Sequence, residues 1–190
     1  RRLAYLVAVM NATEGYERGN QFGGLLYSGR LQVAAWGQPD LAQPERDGLA
    51  IGVSTMLEDG PATRTLGGAI DILLAIARAS VKLEVMCDRT TPQDDPITSP
   101  MVADDVDRCG AYAEAAYTLP QWQLQPVIRV ETFDDDRSLD DAGDVILLSV
   151  GVNARLYRKT RVQLHYLGRF ERFGEERSND SVVVNLQGEF

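Results

Sequence analysis

The sequence has no uninterrupted apolar stretch approaching the roughly 18 residues that a membrane-crossing helix needs. It is also short of basic residues, with 19 Lys and Arg against 28 Asp and Glu and a net charge of -9. General nucleic-acid binding is therefore not expected, because phosphate contacts need clustered Lys and Arg. A single histidine, His165, leaves no second imidazole for a His-based metal site. The glycine pairs Gly23-Gly24 and Gly67-Gly68 are not followed by the Gly-Lys-Ser/Thr of a phosphate-binding loop and read as points of strand curvature. No internal repeat of fixed period is present. Arg1-Arg2 leads into an apolar run, Leu3 to Met10, that is too short for a signal peptide and lacks a cleavage site. With no initiator Met, the chain reads as a mature protein or a piece of a longer one.

What the sequence does have is alternation, from end to end. Apolar and polar residues exchange with the period of two that defines an extended strand. Strands are expected at about 2–11, 22–36, 48–58, 66–76, 79–89, 108–119, 121–133, 143–156, 159–171 and 181–190, in one domain covering residues 1–190. In "QLQPVIRVE", Leu124, Pro126, Ile128 and Val130 share one face, and Gln125, Arg129 and Glu131 the other. Only "GGAIDILLAIARA" fits a helix as well; it is read as strand, turn and strand. The fold class is all-β.

The connections alternate too. "ATEGYERGN", "LEDGPATR", "DRTTPQDDPITSPMVADDVD", "DDDRSLDDAG" and "GEERSND" are long or acidic, whereas "AR" (77–78), "LPQ" (119–121) and "YRK" (157–159) are minimal. "GQPDLAQPERDG" (37–48) breaks the parity. Long loops at one end and tight turns at the other give the sidedness of an outer-membrane barrel. Strand runs of about 11 residues or more suffice to cross a bilayer at a tilt. Tyr5, Tyr27, Trp36, Tyr117, Trp122, Phe133, Tyr157, Phe170 and Phe173 fall mostly near strand ends, as interfacial girdles require. The expected architecture is a transmembrane antiparallel β-barrel.

Four segments carry a resemblance. "YLVAVMNA" (5–12), "LLYSGRLQ" (25–32), "GAYAEAAYTLPQWQLQPVIRVETFDDD" (110–136) and the closing "VVVNLQGEF" resemble the C-terminal part of outer-membrane porins of the phosphate-selective O/P type. The resemblance implies a sixteen-stranded barrel in the bacterial outer membrane, usually trimeric, that passes small solutes. About ten strands are present here, so the chain would be the C-terminal portion; a complete small barrel is the alternative. The resemblance also makes Val184, Leu186 and Phe190 part of a terminal signal read by the barrel-assembly machinery, with Gly188 departing from the aromatic often found two residues before the end. A terminal strand in such a barrel must pair on both edges, because an open edge in lipid leaves backbone groups unsatisfied.

The inward row on this reading is Arg30, Gln32, Lys82, Glu84, Glu114, Arg129, Glu131, Arg161, His165 and Arg169. Its basic members would draw anions, but the interleaved glutamates neutralise them, so a weakly selective channel is expected rather than a phosphate-specific one. His165 has no Ser or Asp pattern in "QLHYLGR" and reads as a satisfied lumen residue, not a catalyst. Asp94-Asp95, Asp104-Asp105-Asp107, Asp134-Asp135-Asp136 and Asp140-Asp141-Asp144 offer oxygens to hard cations, but none has the spacing of an EF loop. They read as solvated charge. Cys87 and Cys109 bracket the longest loop at neighbouring strand ends, within bridging range, and are expected to form a disulfide in the oxidising periplasm. No enzyme activity, cofactor or metal is expected. The expected partners are outer-membrane lipid and lipopolysaccharide, a homotrimer or larger membrane complex, and no nucleic acid. The main rival is a structural barrel component of an envelope complex; a third reading is a secreted soluble β-sandwich or ligand-binding barrel.

Overall fold

The computed structural model describes residues 2–11, 24–37, 39, 46–60, 63–93, 104–141, 143–157, 160–174 and 179–188. All ten expected strands form: β1 (Leu3–Asn11), β2 (Leu25–Gly37), β3 (Gly48–Asp59), β4 (Thr63–Ile76), β5 (Ala79–Pro92), β6 (Val106–Tyr117), β7 (Leu124–Asp134), β8 (Val145–Tyr157), β9 (Thr160–Glu171) and β10 (Ser181–Gly188). They make one antiparallel sheet in simple sequence order. A sandwich needs two packed sheets, and the described strands supply only one. The sheet is open: β1 pairs only with β2, and β10 only with β9. The expected double pairing of the terminal strand is thus not met by these strands alone.

Local chemistry explains the turns and their departures from expectation. The ambiguous "GGAIDILLAIARA" is β4 followed by a two-residue turn at Ala77 and Arg78, both with positive φ (49° and 77°), as a type I′ hairpin demands. Asp47 accepts from the Ala77 amide at 2.9 Å and helps hold that conformation. "LEDGPATR" is not a long loop. β3 runs to Asp59 and β4 begins at Thr63, because Glu58, Asp59, Arg64 and Thr65 continue the ladder. "LPQ" is longer than expected: β6 ends at Tyr117, and the chain turns through 118–123 with Gln123 at positive φ before β7 starts. Pro126 lies inside β7 one step beyond the last β6–β7 pair, Ala116–Val127, where that side of the strand is an edge, while it stays opposite Val152 of β8.

Register assigns every side chain to a face. Directly paired residues share a side, and the pairs run unbroken from Leu31–Val53 through Val53–Ile70, Ile70–Val85 and Val85–Ala111. Val130–Leu148 and Val150–Tyr166 carry the same face across β7, β8 and β9, and Leu164–Val184 carries it to β10. This face is apolar and exposed, with Val184 69% accessible. The opposite face is polar yet mostly buried or half-buried on β2 to β9, with Asp71 only 6% accessible, and exposed on the terminal β10. With a single layer, crowding on one face and splaying on the other is what a sheet coiled toward its polar side produces. β1 departs from this rule, since Leu6 and Met10 share the polar side, opposite Arg30 and Leu26, and remain exposed.

Candidate functional site: the polar face

The register brings Arg30, Gln32, Lys82, Glu84, Glu114, Arg129, Glu131, Arg161, His165 and Arg169 to one face, as the alternation predicted. They divide into a charged belt on β2 to β7 and an amide-rich region on β7 to β10.

In the belt, Arg30 grips Asp71 with both nitrogens, at 2.7 and 2.9 Å, and donates to Ser54 Oγ at 2.9 Å. The grip depends on Gly52, where a Cβ would fall among the Asp71 carboxylate and the Arg30 guanidinium. Lys82 Nζ pairs with Glu84 Oε2 at 3.0 Å, and the Tyr112 hydroxyl donates to the same oxygen at 2.7 Å. Arg129 stacks over the Tyr112 ring, 3.8 Å from its centroid. Its Nε binds Glu131 Oε1 at 2.8 Å and its Nη2 binds Oε2 at 2.9 Å, with Glu114 further away at 3.8 Å. Such forked, charge-assisted contacts fix direction as well as charge. Three cations, Arg30, Lys82 and Arg129, thus face four carboxylates, Asp71, Glu84, Glu114 and Glu131. No free basic track remains among them.

The amide region is a directional chain. Asn185 donates to Gln163 (3.1 Å), Gln163 to Asn153 (2.8 Å), Asn153 to Gln125 (3.0 Å) and Gln125 to Thr118 (3.4 Å). Arg161 adds a donor to Gln125 at 3.4 Å. This chain orients His165. Asn153 Oδ1, held as an acceptor by Gln163, stands 3.3 Å from His165 Nε2, so that nitrogen carries the proton and Nδ1 accepts from Ser149 Oγ at 3.2 Å. Gly151, directly across from His165, leaves the room in which the ring lies. The Ser that the linear sequence lacked is supplied across the strand. Ser149 is only 5% accessible and lies within the β7–β8 and β8–β9 ladders, an enclosed setting for an acyl acceptor. His165 is satisfied on both ring nitrogens.

Asp71, Ser54, Tyr112, Asn153 and Gln163 were not singled out from sequence, and Gln125 was placed on the polar face but not in the inward row. Asp71 had a usable signal, since it is the one charge inside "AIDILLAI" and shares parity with Leu73 and Ala75. Arg169 stands near the loop end, its Nε 3.5 Å from the buried Glu171 carboxylate, away from the belt. Gln32 is half-buried on the polar face.

Other expectations resolve as follows. Cys87 and Cys109 are a directly opposed pair joined by a disulfide, with Cα atoms 4.2 Å apart. Arg89–Asp107 and Arg108–Asp88 ion pairs cross the same hairpin. Trp36, Tyr117 and Trp122 are exposed near the turn end, and Tyr27 and Phe170 near the loop end. Phe133, however, shares the polar face, paired with Val145 one step beyond Glu131's row, so it is no girdle residue. Asp107 and Asp134 belong to strands, not to loops. Val184 and Leu186 are exposed on the apolar face; Phe190, Gly23, Asp94 and Asp95 lie outside the described residues. No protein-family model, curated protein or solved structure matches the chain.

Proposed function

We propose that the protein is part of an outer-membrane β-barrel that acts as a passive, weakly selective channel for ions and small solutes, with lipid against the apolar face and water against the polar one. One observation carries this reading: exposed apolar and enclosed polar side chains alternate along β2 to β9, the reverse of a water-soluble sheet. Strand length supports it. Twelve residues at about 3.3 Å each, tilted by about 45°, cover about 28 Å, close to a hydrocarbon core of about 30 Å. The open edges fit a larger barrel completed by further strands, in line with the resemblance to phosphate-selective O/P porins. The belt's own carboxylates neutralise its cations, which favours weak selectivity, biased toward cations, over phosphate specificity.

A second reading, a structural barrel within an envelope complex, draws on β1. Leu6 and Met10 are exposed on the polar side, and an apolar segment covering them would occlude the interior. Single-channel recording in planar bilayers separates the two. Stepwise conductance in simple salt supports the channel; insertion without conductance overturns it in favour of the plugged barrel.

A further inference from the structure

The connector between β7 and β8, residues 135–144, is dense in aspartate, and its carboxylates are not equivalent. Asp136 is used locally, accepting from the Ser138 amide at 3.0 Å and its hydroxyl at 2.7 Å. Those bonds hold its carboxyl below the usual carboxylate range. Asp141 is used in the same way by the Gly143 amide, at 2.6 Å. Asp134 and Asp144 are different. Asp144 is 2% accessible, and its Oδ1 is buried without a hydrogen-bond partner; Oδ1 of Asp134 is buried and unpartnered as well.

Register explains why the two meet. The last β7–β8 pair is Phe133–Val145, and Asp134 and Asp144 are the residues that flank it on the loop side, close enough for the Asp134 charge to act on Asp144. Like charges close together across a hairpin repel, and a buried carboxylate oxygen without a partner demands an explanation. Burial first, and the Asp134 charge second, push the Asp144 carboxyl above its ordinary range. The Arg172 charge pulls the other way, but its guanidinium lies over the Phe173 ring and its amide donates to the Asp144 carbonyl at 2.8 Å. Meanwhile Asp135 folds its carboxylate over Gly143, keeping negative charge near the pair. The frame is braced on both sides: Arg137 donates its amide to the Asp107 carbonyl at 2.9 Å, beside the Cys87–Cys109 staple, and Arg172 ties Asp144 to the end of β9.

We propose that Asp134 and Asp144 together hold a hard divalent cation, best matched by calcium, at the loop end of the β7–β8 hairpin. Calcium suits an irregular set of carboxylate, carbonyl and water oxygens better than magnesium, which demands a near-ideal octahedron. Among the described residues no three carboxylate, His or Cys groups stand ready as a metal cage. Two carboxylates completed by carbonyls and water therefore place the site in the weak class, with half-saturation at roughly 0.1–1 mM calcium. The bound ion would cancel the Asp134–Asp144 repulsion and lock the connector against the stapled hairpin. This inference is independent of the channel reading, since it rests on the connector alone.

The test is thermal unfolding of the purified protein after EDTA treatment, titrated with calcium chloride at pH 7.5. Calcium should raise the unfolding midpoint in the wild-type protein and in Asp140→Asn, whose side chain lies outside the pair. Asp144→Asn and Asp134→Asn should each weaken the half-saturation concentration by tenfold or more. Should Asp144→Asn fail to fold, Asp134→Asn and equilibrium dialysis of the wild-type protein with radioactive calcium decide the matter. An equal response to sodium at matched ionic strength would reduce the effect to screening and overturn the site. So would a wild-type protein indifferent to calcium but stabilised by Asp144→Asn, which would assign the pair a shared proton.

Discussion

The two faces of this sheet are cut from the same strands and cohere in opposite ways. On the polar face, side chains bond to one another, through the Arg30–Asp71 fork, the Lys82–Glu84–Tyr112 cluster and the amide chain from Asn185 to Thr118. On the apolar face, Val53, Ile70, Val85, Val130, Val150 and Val184 project outward from a single layer and stay exposed. A soluble sheet spends its apolar face on a second layer. Here the polar face needs no second layer because it satisfies itself, whereas the apolar face still needs a solvent of its own kind. The polar face is also uneven: the ion-paired belt lies on β2–β7, whereas the region beyond is built mainly of amides, with Arg161 and the Arg169–Glu171 pair on β9.

These contrasts can be broken by substitution, and the largest effect belongs to the charged belt. Replacing Arg30 by Met leaves Asp71 buried and unpaired, and breaking such a pair costs about 3–5 kcal/mol. Arg30 is itself a third exposed, so the low end is expected. Urea unfolding of the variant measures the loss, and Ser54→Ala, which removes a single hydrogen bond, should cost only about 1 kcal/mol.

The faces themselves are compared next. Val184→Arg puts a charge on the apolar face and should weaken folding into bilayers by about 2–4 kcal/mol, whereas Asn185→Arg should change it little. Equal tolerance of the two would dissolve the distinction. In the amide region, Asn153→Leu strips partners from Gln125, Gln163 and His165 at once, an expected loss of about 1–3 kcal/mol. The same denaturation series would detect it. The smallest effect concerns selectivity. Reversal potentials in a salt gradient should show a weak cation bias that Glu84→Gln and Glu131→Gln diminish and that Asn153→Leu leaves alone; strong anion preference in the unmodified protein would contradict the neutralised belt.

How much of this was legible beforehand follows from the range of each interaction. Strand positions and faces were readable because alternation is a local property: in β10 Val182, Val184 and Leu186 share one face, and Asn185 and Gln187 the other. Cys87 with Cys109 was readable because both belong to the same hairpin, although its strands run on beyond them to Pro92 and from Val106. The Ser149–His165–Asn153 link and the amide chain were not, since they join different strands in a register that the intervening turns decide. Asp71 was masked by its apolar neighbours and by the helix-like spacing of "GGAIDILLAIARA". The polar residues of "LEDGPATR" suggest a loop by composition, yet Glu58, Asp59 and Arg64 carry on the β3–β4 ladder. Composition likewise marked Asp144 as solvated charge, and only the fold of its connector encloses it.

The most direct measurement of the central claim uses nitroxide labels attached through cysteines placed singly at 184 and 185, the native pair being bridged and therefore unreactive. In protein reconstituted into lipid vesicles, the label at 184 should collide with oxygen and be shielded from a water-soluble nickel chelate. The label at 185 should do the opposite. Lipid on one face and water on the other require that reversal between adjacent residues; identical accessibility at both positions would contradict it.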